Sequence, residues 1–270
     1  MGLLDENITR LSEKNRNLQP PHEEDYKVGG ILHCHKCNKP RQRKITIGDT
    51  ERLVFCNCDC MTAETDGAAR ADRLKKITSE IDAMKKTAFA SPAMRKLTFE
   101  NDDRQNHKIS DALRKYAADF DKYYKRGVGL LLYGTVGTGK SYFAACIANA
   151  VLDLNLRRAD AENMPKYTAH MTNFSRILNR MQGAFEGRQE YIDKLCGYSL
   201  LAIDDLGAER DSSFARETVY SVINERYNFK KPLIVTTNLS LDEMLNCTDT
   251  ERRRIYDRVL GMCAPVEFKG

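Results

Sequence analysis

The chain has 270 residues, 41% of them apolar, with a formal net charge of +5 and nine cysteines. That length holds one ordinary α/β domain plus a smaller module, and the apolar share suffices for a packed core. No run approaches the roughly 18 apolar residues of a membrane span, and Asp5, Glu6 and Arg10 interrupt the start before a signal-peptide core can form, so a soluble cytoplasmic protein with no membrane partner is expected.

Residues 1–30 are polar and contain Pro20-Pro21 and Glu23-Glu24-Asp25. They predict a short amphipathic helix bearing Leu3, Leu4, Ile8 and Leu11, then a flexible lead-in; the helix either docks on a partner or is a frayed terminus. Residues 31–62 hold Cys34-His-Lys-Cys37 and Cys56-Asn-Cys58-Asp-Cys60, separated by a basic, hairpin-length segment. Paired cysteines at that spacing suit a tetrahedral, structural Zn²⁺ site. Cys34, Cys37 and Cys58 are the firm ligands, Cys56 and Cys60 compete for the fourth place, and His33 or His35 are outside candidates. A disulfide framework is the competing reading, which a reducing cytosol disfavours. Cys146, Cys196, Cys247 and Cys263 are scattered and read as small buried hydrophobes.

Residues 63–96 read as a basic amphipathic linker helix with Leu74, Ile77, Ile81 and Met84 at helical spacing, broken by Ser91-Pro92. Residues 27–96 carry 15 Lys and Arg against 8 Asp and Glu, which suits a polyanion or an acidic partner and equally a solvated helix face. Thr98-Phe-Glu-Asn101 opens a nucleotide-binding domain over 97–270, and Ile109, Leu113, Tyr116 and Phe120 mark a helix before its first strand.

Val128–Tyr133 predicts a buried strand, and Ser141–Leu154 a helix with Phe143, Ile147 and Val151 on one face. Between them stands Gly134-Thr135-Val136-Gly137-Thr138-Gly139-Lys140-Ser141, a complete G-x-x-x-x-G-K-[ST] in the strand, loop, helix order that phosphate binding needs. The loop N–H groups face the phosphates, Lys140 reaches the β- and γ-phosphates, and the Ser141 hydroxyl takes a place on Mg²⁺. Ser199–Ile203 then predicts a strand running into Asp204-Asp205, with Asp204 orienting Mg²⁺ and Asp205 polarising the attacking water. Leu233–Thr237 predicts another strand ending at Asn238, an amide suited to hold the lytic water, though an Asn there also simply ends an element. Glu251–Cys263 predicts a helix with Ile255, Val259 and Met262 inward and arginines on the other side. Together these elements predict an α/β nucleotide-binding domain.

The run from Gly129 to Ser141, then Ile203-Asp-Asp-Leu-Gly-Ala-Glu-Arg210, Ile223-Asn-Glu-Arg-Tyr227, Ile234-Val-Thr-Thr-Asn-Leu-Ser240 and Arg254-Ile-Tyr-Asp-Arg-Val-Leu260 resembles the DnaC/DnaI-type helicase loaders and their IstB-like relatives over about residues 97–268. The resemblance implies an α/β fold, an AAA+ P-loop ATPase of the initiator clade with a doubly wound parallel sheet flanked by helices, that uses ATP and Mg²⁺. It also implies an arginine finger at Arg258, with Arg254 a weaker candidate, and a further family arginine, Arg226, facing DNA or an adjoining subunit. Family members commonly continue past this point with a sensor 2 arginine; none is assigned here, since the sequence runs to Gly270. An N-terminal zinc-bearing domain is a mark of the DnaI kind. The expected function is therefore loading of a hexameric replicative helicase onto single-stranded DNA by an ATP-dependent homo-oligomer. A transposase-assisting ATPase on duplex DNA, and a zinc-stabilised adaptor without turnover, are the alternatives.

Overall fold

The computed structural model describes residues 20–47, 50–158, 166–182, 187–209 and 212–269. The expected helix around Leu3–Leu11 lies outside them. The chain divides into two compact units, Met1–Lys76 and Ile77–Gly270.

In the first unit, β1 (Tyr26–Val28) and β2 (Ile31–His33) form a hairpin across Gly29 and Gly30, both at positive φ. β3 (Gln42–Ile47) pairs antiparallel with β4 (Thr50–Phe55), and helix α1 (Asp59–Ala88) begins directly after Cys58. The unit's described apolar core is small, with Cys34, Cys58 and Met61 buried together. Polar bonds supplement it: the buried Arg41 guanidinium donates to the equally buried Asp25 at 2.6 Å and to the Pro20 carbonyl. The ordered module therefore starts before residue 31, because Asp25 and the first hairpin are built into it. On α1 the predicted apolar stripe is partial: Ile81 is buried and Ile77 and Met84 are partly so, whereas Leu74 is exposed.

The second unit is a five-stranded parallel sheet in the order β6-β7-β8-β5-β9, built from β5 (Gly129–Gly134), β6 (Ala169–Asn173), β7 (Leu200–Leu206), β8 (Leu233–Thr237) and β9 (Cys263–Phe268). Side chains alternate between its faces, as strand geometry dictates. Leu130, Leu132, Leu200, Ala202 and Ile234 join one core with Phe143, Ile147 and Val151 of α4 (Lys140–Arg157) and Leu113 and Tyr116 of α2 (His107–Ala118). Leu131, Leu201, Ile203, Leu233 and Val235 join the other, with α5 (Phe174–Gln182), α6 (Arg188–Gly197), α7 (Ser213–Asn228) and α9 (Thr250–Met262). Burial on both faces explains the unbroken apolar runs of the central strands. The predicted helix around Ile109–Phe120 is two, since the chain turns at Asp119 before α3 (Phe120–Arg126). Short α8 (Leu241–Leu245) follows β8 behind a Ser240–Glu243 capping box.

Two strands of this sheet escaped the sequence reading, as did β1 and β2 of the first unit, where a flexible lead-in was expected up to residue 30. β6 is a short, mixed Ala-His-Met-Thr-Asn segment, and β9 follows α9 without a linker and carries Pro265, which edge strands tolerate.

Arg226 corrects an expectation. Its side chain is fully buried and faces neither solvent nor a neighbour's surface. It donates to the carbonyls of Cys196 (3.1 Å), Tyr198 (2.6 Å), Ser199 (3.5 Å) and Pro232. These carbonyls lie at the end of α6 and the entries to β7 and β8, so one cation ties α7 to the N-terminal edge of the sheet. Burial brings its pKa down to about 10, and the partial negative charge of the α6 C-terminus stands in for a carboxylate. Arg226→Ala orphans these carbonyls, at a cost of about 3 kcal/mol. Thermal unfolding followed by circular dichroism should show Tm lower by roughly 6–12 °C for a unit of this size; an unchanged Tm would refute the anchoring role.

Candidate active site and metal centre

The phosphate-binding sequence connects β5 to α4. Gly134 adopts φ 137°, and a Cβ there would lie 2.0 Å from the Phe268 carbonyl, so this position needs glycine both for the turn and for the approach of β9. The loop Thr135–Gly139 then delivers Lys140 to the first turn of an 18-residue helix, whose N-terminal N–H groups and dipole favour an anion. The Lys140 ammonium, nearly buried, donates to the carbonyls of Gly134 (2.8 Å) and Thr135 (2.6 Å). Burial holds its pKa below the usual lysine range, against the pull of Asp205 and Asp204. Val136 stands at the loop tip, 82% exposed.

Beside the loop is a cleft of about 820 Å³, within the usual range for small-ligand sites. Thr135–Gly139, Tyr142 and Phe143 line one side, and Asn101, Asp102, Asp103, Gln105 and Asn106 line the other. The sequence reading took Thr98–Asn101 as a lead-in only. The polar wall after it was missed because Asp102–Asn106 match no motif.

The acidic pair lies at the carboxyl end of β7, next to β8. Ile203 pairs with Val235 and Leu206 with Thr237, so Asp204 and Asp205 together span a stretch where β8 supplies only Thr236. This is a β-bulge, and Asp205 takes φ 59° within it. Asp204 Oδ1 accepts from Ser141 Oγ at 2.7 Å and from Thr236 Oγ1 at 2.6 Å. The Asp205 N–H donates to the same Thr236 oxygen at 2.9 Å. Asp205 keeps solvent access, yet partial desolvation, and then the Asp204 charge beside it, raise its pKa, with Lys140 opposing.

Thr236 is thus a site residue that no motif signalled; it is one of two threonines that end a buried strand. Asn238 lies exposed just beyond β8, outside this network. Arg258 stands apart as well: its Nε donates to Asn224 Oδ1 at 3.2 Å and its guanidinium lies 4.7 Å from the Tyr227 ring centroid, both partners on α7. Arg254 is exposed and lines a small cleft with Ser213, Arg216, Tyr220 and Glu251.

In the first unit the sulfurs of Cys34, Cys37, Cys58 and Cys60 gather within 4.8 Å of one another. Cys58–Cys60, Cys34–Cys60 and Cys37–Cys60 are 3.3, 3.6 and 3.6 Å apart. The edge of a tetrahedron with Zn–S bonds of ~2.3 Å is roughly 3.8 Å, so four thiolates here fit Zn²⁺. The backbone N–H of Cys37 brings the Cys34 pKa down to about 6, outweighing burial, whereas the Cys58 sulfur and then burial push Cys60 up to about 12. Cys56 is not in the cluster; its thiol faces the Pro40 carbonyl at 3.6 Å. His33 bonds the Asn38 carbonyl and His35 bonds Asp25, which places both imidazoles outside the four sulfurs. Of the scattered cysteines, Cys146, Cys196 and Cys263 are buried as expected, and Cys247 is only partly so.

Comparison with known proteins places this geometry among relatives. Residues 60–270 match the family described as IstB-like ATP binding protein. The replicative helicase loader DnaI of Bacillus subtilis (strain 168) is 25% identical over 174 residues, 59% of this chain and 52% of that protein, so the match spans about half of that relative's length. A protein named as an insertion-sequence ATP-binding protein of Mycobacterium tuberculosis is 26% identical over 219 residues, 78% of this chain and 75% of its own. Among solved structures, that of the DnaC helicase loader superposes with a TM-score of 0.53 at 20% identity, over 66% of this chain and all of that one. That likeness shows the fold, an α/β unit built on a parallel sheet.

Thr236→Val keeps the shape of the buried side chain while deleting both of its hydrogen bonds and orphaning the Asp205 N–H. The expected loss is about 1–3 kcal/mol, read as a Tm fall of roughly 2–12 °C, with Thr236→Ser close to wild type. Equal Tm for the valine variant would show that Thr236 does not hold the acidic pair in place.

Proposed function

The chain belongs to the IstB-like ATP binding protein family, and from that premise we propose that it is an ATP-hydrolysing loader of a hexameric replicative helicase onto single-stranded DNA. The observation that carries the ATPase reading is the convergence of Ser141, Asp204 and Thr236 beside the phosphate-binding loop. In this reading the triphosphate lies along the loop N–H groups at the start of α4, and Lys140 exchanges the Gly134 and Thr135 carbonyls for β- and γ-phosphate oxygens. The Ser141 hydroxyl and Asp204 carboxylate, already paired, form the hard-oxygen set that suits Mg²⁺, which when bound supplies charge neutralisation at the phosphates. Asp205, displaced outward by the bulge and exposed, orients the attacking water, and Asn238 at the tip of β8 assists it. Arg258, held by Asn224 and Tyr227, is the finger that reaches a neighbouring subunit's nucleotide, so hydrolysis depends on assembly and is stimulated by single-stranded DNA.

Three observations support the choice of substrate and partner. A helicase loader is among the relatives, the solved structure of another shares the fold, and a four-cysteine cluster fitted to structural Zn²⁺ precedes the ATPase unit. We assign that module, roughly residues 20–62, to the helicase contact. The second reading, a transposase-assisting ATPase that binds duplex DNA, is favoured by the longer match to the insertion-sequence relative.

The two readings part in a capture experiment with the full chain, a candidate replicative helicase and ATP. The loader reading expects retention of the helicase by the wild type and its loss in Cys34→Ser, with ATP binding by the variant intact. Retention by Cys34→Ser would move the contact to the ATPase unit, and failure to retain the helicase alongside tight binding of duplex DNA would favour the transposition reading.

A further inference from the structure

Next to the sulfur cluster, His22, Glu24 and His35 bring their ligand atoms within 4.8 Å of one another, and Asp25 and His35 in turn lie within 4.8 Å of the Cys34 sulfur. His35 Nε2 lies 3.7 Å from Glu24 Oε2, His22 Nδ1 lies 3.9 Å from the same oxygen, and the two imidazole centroids are 4.3 Å apart. For Zn–N and Zn–O bonds of ~2.0–2.1 Å the tetrahedral edge is roughly 3.4 Å, so bonding would draw these groups together by only a few tenths of an ångström.

Proximity of exposed polar groups is common, and what distinguishes this trio is the buried carboxylate behind it. Asp25 Oδ1 accepts from both the backbone N–H and the ring Nδ1 of His35, at 3.1 and 3.0 Å. With a proton on Nδ1, the His35 Nε2 lone pair faces Glu24. Asp25 Oδ2 accepts the backbone N–H of His22 at 3.0 Å and the Arg41 guanidinium at 2.6 Å. One carboxylate with a fully buried side chain therefore fixes the tautomer and direction of one imidazole and the backbone position of the other. That is the carboxylate–histidine–metal arrangement in which an outer group orients a ligand and strengthens it as a base.

We propose that His22, Glu24 and His35 form a second divalent-metal site, for Zn²⁺ or a similar borderline cation, oriented by Asp25. Two imidazoles and one carboxylate leave a fourth position for water. The site clips the segment around Pro20–Asp25 to the Cys34–Cys37 knuckle and adds to the small apolar core of this unit. It does not depend on the proposed function.

The test uses the full chain saturated with one equivalent of Zn²⁺ and titrated with Co²⁺ under visible absorption. The expected result is one further saturable equivalent of Co²⁺ with ligand-field bands of a nitrogen and oxygen site and no sulfur-to-cobalt charge-transfer band. His35→Gln and the exposed Glu24→Gln should each weaken that equivalent by about tenfold or more, and Cys56→Ser should leave it unchanged. Absence of a second equivalent, equal affinity in both variants, or a charge-transfer band showing that the cobalt has entered the cysteine cluster would each overturn the proposal. Because Glu24 lies on the surface, its variant reads the site even where the histidine variant disturbs folding.

Discussion

The organisation of the second unit turns on one carboxylate oxygen. Asp204 Oδ1 accepts hydrogen bonds from Ser141, at the start of α4, and Thr236, on β8. Three elements distant in the chain, the phosphate-binding helix, the acidic strand and the strand between it and β5, therefore meet at a point on the carboxyl edge of the sheet. The bulge is part of the same constraint: an extra residue in β7 turns Asp205 outward, and its N–H returns to Thr236. Without that residue, Asp205 would fall on the opposite face from Asp204 in the ordinary alternation of a strand. The bulge interrupts that alternation at the acidic pair.

The opposite edge of the sheet is held by a second polar device of a different kind. Arg226 gathers four backbone carbonyls from the end of α6 and the entries of β7 and β8. Thus the two central strands that carry the acidic pair and its supporting threonine are clamped at both ends, by a buried cation at one and a shared carboxylate at the other. The first unit follows similar logic on a smaller scale. Its few buried apolar groups are supplemented by the Asp25–Arg41 pair and by a cysteine cluster fitted to a metal ion.

Much of this was legible in the sequence because it is local. The order of strand, glycine-rich loop and helix, the apolar run before Asp204-Asp205, and the two-sided burial of the central strands follow from spacing and composition. What was not legible depends on register between distant strands. Nothing local distinguishes Thr236 from Thr237, yet one hydroxyl joins the acidic network and the other bonds the Leu206 carbonyl. Arg226 was expected at a surface because the family resemblance implied an arginine facing DNA or an adjoining subunit; only the packing of α7 over the strand entries shows it to be enclosed. The choice between Cys56 and Cys60 was likewise decided by direction, since Cys60 lies in the first turn of α1 and aims back at the knuckle while Cys56 ends the hairpin. Short edge strands with weak periodicity, β6 and β9, leave the same gap.

The central claim is that Lys140 and the acidic pair separate nucleotide binding from hydrolysis. The direct measurement is ATP affinity by titration calorimetry beside steady-state turnover for wild type, Lys140→Ala and Asp205→Asn, the last chosen because asparagine tolerates the positive φ of that position. The account predicts that Lys140→Ala loses ATP binding, and that Asp205→Asn binds with wild-type affinity while turnover drops by about a hundredfold or more. Normal ATP affinity in the lysine variant, or undiminished turnover in Asp205→Asn, would contradict it.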